Sequence, residues 1–237
     1  MPELVRPGQQ ASPERVRRPR VLVFDVNETL SDMSPLADRF EEFGAPGHLA
    51  TSWFAGLLRD GFALAVTGRS QPFSRIGEES LRILLGGVAL RVGLDDAVAH
   101  VMAGFGELRV HEDVPDGVRA LAGLGIRLVT LSNGAAGIAH RLLAEAGVRD
   151  EVEQVLSVEA AGVWKPAPAA YAYALERCSV DPQDAMLVAV HPWDTDGAAR
   201  AGLGSAWVNR TGGAFPGYFT TPDLEATSLL DLAEQLR

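Results

Sequence analysis

The chain has 237 residues, of which 47% are hydrophobic and 22% charged, enough for a sizeable core in an ordinary soluble protein. Its formal net charge of -10 argues against a nucleic-acid partner, which needs a basic footprint, and leaves any anionic substrate to be drawn in by a local positive site. The single cysteine, Cys178, excludes an internal disulfide, and no apolar run reaches the ~18 residues of a membrane span.

Residues 1–19 are rich in Arg, Pro and Gln and lack an apolar centre, so they read as a flexible tail and not as a signal peptide; a cytoplasmic location is expected. The first strand is predicted over Val21–Phe24 and ends in Asp25, with Asn27, Glu28 and Thr29 directly after it. A carboxylate at the end of a buried strand sits where ligands bind in α/β sheets, and a scaffold that fixes its direction makes it a nucleophile candidate. From about residue 36 to 106 the pattern is almost entirely helical, with Trp53, Phe54, Leu57 and Leu58 on one stripe and Leu81, Ile83, Leu84 and Leu85 in a second apolar cluster. This stretch is too long for a plain loop.

Strands and helices then alternate. A helix over 118–124 leads to a strand over 126–131 and to Ser132-Asn133-Gly134, where a hydroxyl and backbone N–H groups at a helix start suit an anion. A helix over 135–146 and a strand over 152–157 precede Trp164-Lys165-Pro166, a cation just before a helix over 168–178. A buried strand over 185–190 runs into His191-Pro192-Trp193-Asp194, followed by a helix over 194–201 and a last strand over 205–209. Gly125, Gly147 and Gly202 each follow a helical segment, as terminators do. The alternation implies an α/β fold with a parallel sheet and right-handed crossovers. Each polar segment also has an ordinary structural explanation: an Asp capping a turn, Ser-Asn-Gly as an N-cap, a solvated Lys, a packed His. Their common position at successive strand ends argues for chemistry.

The order Asp25, Ser132-Asn133, Lys165-Pro166 and an Asp194-bearing loop resembles the four-motif signature of the haloacid dehalogenase superfamily, over nearly the whole chain after residue 20. Three details resemble its type II 2-haloacid dehalogenases: Ser132-Asn133-Gly134, Tyr171 six residues after Lys165, and Trp193-Asp194 ahead of Gly197-Ala198. The resemblance implies a Rossmann-like parallel-sheet core, residues 20–34 and 107–237, with helices on both faces. It implies that residues 35–106 form a helical cap inserted after the first strand. It further implies a short-chain 2-haloacid substrate of L configuration, no cofactor, no metal, and a homodimer. In its terms Asp25 is the nucleophile, Lys165 keeps it ionised, and Ser132 with the amides near Asn133 holds the substrate carboxylate. Thr29, Asn27 and Asp194 orient the charged groups, with Thr29 and Tyr171 also among the substrate contacts. Trp53 and Phe54 wall the halogen side of a tight cavity.

Phosphatases of the superfamily resemble one another in an Asp two positions past the nucleophile and paired carboxylates for Mg²⁺. Here the first place holds Asn27, which neither gives nor takes a proton, and only Asp194 remains in the last motif. An Mg-dependent phosphatase is therefore the second reading, and a non-catalytic binder of small acids the third. The chain also departs from the better-known dehalogenases, which carry an Arg after the cap Trp, where Phe54 stands, an Asn where His191 stands, and often a Gly where Glu28 stands. His191 and Glu28 read as a water-activating pair, as in some dehalogenases of this branch. Arg69 is the cap cation considered as a replacement for the missing Arg.

Overall fold

The computed structural model describes residues 18–237. The tail expected over residues 1–19 thus lies almost wholly outside the described residues. Six parallel strands form one sheet in the order β3-β2-β1-β4-β5-β6. They are β1 (Val21–Phe24), β2 (Arg127–Ser132), β3 (Val152–Ser157), β4 (Ala185–Ala189), β5 (Gly204–Val208) and β6 (Leu224–Ala226). The chain moves outward from β1 through β2 to β3, then returns to place β4 on the other side of β1. That reversal opens a crevice at the carboxyl ends of β1 and β4, where open α/β sheets bind ligands.

β1 is buried over its whole length because the sheet is covered on both sides. Val21 and Val23 point into one core with Val129, Leu131, Leu187 and Ala189. Leu22 and Phe24 point into the other with Leu128, Met186, Val188 and Ala206. This period of two explains why the strand is apolar throughout. On the second face lie α5 (Val114–Gly123), α6 (Ala136–Glu145) and α10 (Leu229–Gln235), through Val118, Leu142 and Leu232. On the first face lie α8 (Pro168–Cys178) and α9 (Pro192–Arg200), with the short α7 (Val158–Ala161) before α8.

Between β1 and α5 the chain forms four helices: α1 (Leu36–Glu42), α2 (Leu49–Val66), α3 (Phe73–Leu85) and α4 (Leu94–Gly106). On α2 the spacing Trp53, Phe54, Leu57, Leu58, Gly61 puts one buried stripe along the helix. The helical layer reaches the core through rings, with Phe62 against Trp193 and Phe73 stacked on Trp164 at 6.1 Å. Where the layer rejoins the core, an antiparallel bridge pairs Ser31 with Val110, with Asp32 N–H donating to Arg109 O at 2.8 Å. Among the described residues no helix is long and apolar enough to cross a membrane.

The second apolar cluster needs correction. α3 buries Leu81 and Leu85, four residues apart, and turns Ile83 outward at 81% exposure. β6, α7 and α10 have no counterpart in the sequence reading, and α5 begins four residues earlier than expected.

Candidate active site

β1 delivers Asp25 to the crevice as a buried carboxylate whose two oxygens have separate partners. Lys165 Nζ donates to Oδ1 at 2.8 Å, and Thr29 Oγ1 donates to Oδ2 at 2.7 Å. Thr29 can reach back because the segment after β1 turns at once, with Leu30 N–H bonded to Val26 O; its hydroxyl also accepts Val190 N–H from the end of β4. Lys165 has no exposed surface and bridges to Asp194 Oδ2 at 2.6 Å. Tyr171 closes the set by donating to Asp194 Oδ1 at 2.6 Å. A Cβ on Gly197 would stand 2.5 Å from the Tyr171 hydroxyl, so the glycine one turn into α9 is what admits the phenol.

One ammonium therefore bridges two buried carboxylates and balances one of their two charges. Burial alone pushes the Asp25 carboxyl up, but the charges of Lys165 and His191 and the hydrogen bonds from Lys165 and Thr29 hold it below its usual range. Burial, with the Asp25 charge added, raises the Asp194 carboxyl despite Lys165. Burial also works against the Lys165 ammonium, yet Asp194 and Asp25 raise it. Tyr171 is pushed well up by burial and by Asp194, so it stays a donor. Any proton held by the pair of carboxyls goes to Asp194, which leaves Asp25 the ionised one.

On the β4 side stand His191 and Glu28. His191 Nε2 lies 3.2 Å from Asn27 O and 3.7 Å from both Asp25 Oδ2 and Glu28 Oε2. The carbonyl can only accept, so Nε2 carries the ring proton. The ring stacks on Trp193 at 5.0 Å, so packing and polar contact coexist. Glu28 has a backbone φ of 60°, a left-handed conformation that costs a side-chain-bearing residue about 1–2 kcal/mol. Its carboxyl is raised, first by burial and then by Asp25, with His191 and His111 opposing.

A cavity of about 540 Å³ lies between α1, α2 and the loops after β1, β4 and β5. Glu28, His191 and Phe54 line it together with His111, Trp207 and Arg210. His111 and Arg210 had no signal in the sequence because they approach from the segment before α5 and the loop after β5. Arg210 donates to Thr29 O at 2.9 Å and pairs with Asp113 Oδ1 at 2.8 Å, which braces the turn after Asp25.

Several expected substrate contacts stand elsewhere. Trp53 is turned into the helical layer, where its indole N–H donates to Gly77 O and its ring meets Phe105 edge-on, while Phe54 alone of the two faces the cavity. Tyr171 is buried behind Asp194 and not at the cavity wall. The Asn133 side chain is engaged at both ends by the Lys165 backbone, accepting its N–H at 3.0 Å and donating to its carbonyl at 3.3 Å. It thereby positions the lysine. Ser132 Oγ accepts Gly134 N–H at 2.9 Å, which occupies one of the amides expected to face an anion. A Cβ on Gly134 would meet Ser132 Oγ and the Asn27 amide, so Ser132, Gly134 and Asn27 share one corner. Arg69 is exposed in the turn after α2 and supplies no charge to the cavity.

Comparison with known proteins places the chain among relatives. A family profile described as "Hydrolase: haloacid dehalogenase-like hydrolase" matches residues 19–202. The chain is similar to an (S)-2-haloacid dehalogenase of Pseudomonas sp. (strain YL), with 30% identity over 90% of this chain and 92% of the relative. It is similar to haloacetate dehalogenase H-2 of Moraxella sp. (strain B), with 27% identity over 88% of this chain and 93% of the relative. Among solved structures, the L-2-haloacid dehalogenase from Xanthobacter autotrophicus with chloropropionic acid covalently bound superposes with a TM-score of 0.81 and 26% identity, covering 92% of this chain and 98% of that one.

Proposed function

The chain belongs to the haloacid dehalogenase-like hydrolase family, and from that premise we propose that it hydrolyses the carbon–halogen bond of 2-haloacids. The observation that carries the reading is Asp25: a buried carboxylate at the crevice of the sheet, held ionised by Lys165 and fixed in direction by Thr29. One Asp25 oxygen attacks C2 from behind the halogen. The carbon–halogen bond breaks, halide leaves with the bonding pair, and an aspartyl ester remains. Water then adds to the carbonyl of that ester, the acyl–oxygen bond breaks, and a 2-hydroxyacid leaves with inverted C2 while Asp25 is restored. A covalent adduct in the Xanthobacter autotrophicus relative agrees with such an ester.

Holding carboxylate and C2 in line contributes on the order of 7–11 kcal/mol of the barrier reduction. The water is activated by the His191–Glu28 pair, a contribution of typically about 10²–10⁴-fold. With Nε2 protonated toward Asn27 and 3.7 Å from both Asp25 Oδ2 and Glu28 Oε2, the ring orients the water, the Glu28 carboxylate takes its proton, and that proton is passed to the oxygen of the departing 2-hydroxyacid. The S substrate is the expected one, and a cytoplasmic homodimer remains part of this reading.

The test is halide release from a panel of short 2-haloacids, with chelator present and with Asp25→Asn as control. Release that survives the chelator and disappears in the variant supports the reading; release from no acid overturns it. The Mg-dependent phosphatase gains nothing here, since both Asp194 oxygens are hydrogen-bonded to Lys165 and Tyr171. A saturable acid binder without turnover is told apart by the same assay. His191→Ala in a single turnover should release halide at the normal rate while the ester on Asp25 accumulates; loss of the halide burst itself would remove the role given to His191.

A further inference from the structure

We propose that His111 is a positioning residue for Glu28, acting on the ester-hydrolysis step through the Glu28 backbone; the inference rests on the His191–Glu28 reading above. His111 Nε2 lies 2.9 Å from Glu28 O, across 83 residues of sequence. A carbonyl only accepts, so the ring presents Nε2–H to it. On the other side of the same residue, Glu28 N–H donates to Ser31 Oγ at 3.3 Å. Residue 28 is thus held from both peptide groups in a left-handed conformation that a glycine would adopt freely. A glycine would serve if only the turn mattered. The side chain retained there is a carboxylate, and the held backbone directs it to within 3.7 Å of His191 Nε2. A strained residue kept in place by its surroundings points to a task for its side chain.

The place of His111 in the chain adds to this. It follows the crossing where the helical layer rejoins the core, directly after the Ser31–Val110 bridge, and its own N–H donates to Leu30 O at 2.9 Å. The segment returning from the helical layer therefore fixes the turn that leaves β1. Any displacement of that crossing moves the imidazole, and with it the carboxylate of Glu28.

The experiment follows a single turnover in the full chain, measuring halide burst and ester decay separately for wild type, His111→Ala, His111→Gln, Glu28→Gln and the double variant His111→Ala with Glu28→Gln. The expected result is an unchanged burst in His111→Ala with ester decay slowed by about 10-fold or more. His111→Gln, whose side-chain N–H reaches the same carbonyl, restores the decay. In the Glu28→Gln background, loss of His111 adds nothing further, because a residue that works only through Glu28 is not additive with it. A burst that falls in step with ester decay, a decay left at the wild-type rate, or full additivity in the double variant overturns the proposal. If wild type releases no halide, the proposed function fails by itself, and the hold on Glu28 is still read from the ¹⁵N spectrum of the ring. A proton on Nε2 coupled through the hydrogen bond to the Glu28 carbonyl sustains the hold; a neutral ring protonated on Nδ1 overturns it.

Discussion

Lys165 carries the electrostatics of the site, because it is the ammonium between two buried carboxylates. Removing one partner of a buried ionic set leaves uncompensated charge and typically costs about 3–5 kcal/mol. Lys165→Ala should therefore lower the unfolding free energy by about that amount, measured by denaturant titration, as well as abolish halide release. The carboxyls also separate the two half-reactions by pH. Asp25 sits below its ordinary value of 3.8 and Glu28 above its ordinary value of 4.5. As pH falls, Glu28 takes up its proton first, so the ester on Asp25 should persist at a pH where halide is still released at the normal rate. A burst and an ester decay that fail together on acidification would contradict this. Glu28 also makes a stability test: Glu28→Gly removes the left-handed penalty of about 1–2 kcal/mol and should raise the melting temperature while slowing ester decay. Asp25 and Lys165 were legible in the sequence because each ends an element or stands beside one. The Asn133 clamp on Lys165 and the Tyr171–Asp194 bond were not, because they pair residues 32 and 23 positions apart whose meeting depends on the packing of whole elements.

At the scale of elements, the helical layer meets the core where α2 passes the loop that carries Lys165. Gly61 of α2 lies against the Trp164 indole, and a Cβ there would come within 2.4 Å of the ring. Indole is rigid and Trp164 is buried against Phe73, so the ring has little room to give. Gly61→Ala should destabilise the protein by about 1–3 kcal/mol and move Trp164, which near-UV circular dichroism and tryptophan fluorescence would record. A variant as stable as wild type with an unchanged spectrum would show that the two elements can separate freely. The buried stripe of α2 was readable from its spacing, since a 3.6-residue period is a local property of the chain. The face of α3 was misread at Ile83 because four apolar residues in five give no period, and only the neighbouring helices decide which of them is covered. β6 escaped notice because a three-residue edge strand has no pattern of its own, although Ser228 and Asp231 give α10 a visible capping signal.

The whole molecule should be sensitive to acid for reasons that can be assigned. Asp196 in α9 accepts from Arg200 at 2.8 Å and from the Thr220 N–H at 2.9 Å and hydroxyl at 2.6 Å, tying the loop after β5 to the helix that follows His191. The Arg200 bond leads in lowering its carboxyl to about 2 against an ordinary 3.8. A depressed carboxyl contributes stability that is full above the unfolded value and is lost as pH falls through the folded one. Asp196 and Asp25 both act in this direction, while Glu28, with its raised value, acts in the opposite one. Stability should therefore fall as pH drops from about 4 to about 2, and Asp196→Asn should flatten that slope, measured by thermal melts across the range. An unchanged slope would show that the loop is held by other contacts. The sequence by itself determined the parallel α/β sheet, the length and helical nature of the segment after β1, and the gathering of Asp25, Lys165, His191 and Asp194 along the carboxyl edge of the sheet. Those properties follow from local periodicity and from the rule that parallel strands point the same way. Only the tertiary structure decided that Trp53 faces away while Phe54 faces the cavity, that Tyr171 and Asn133 brace charged groups, and that His111 and Arg210 hold the turn after Asp25. These depend on helix rotation and on contacts between distant segments, which a one-dimensional pattern does not encode.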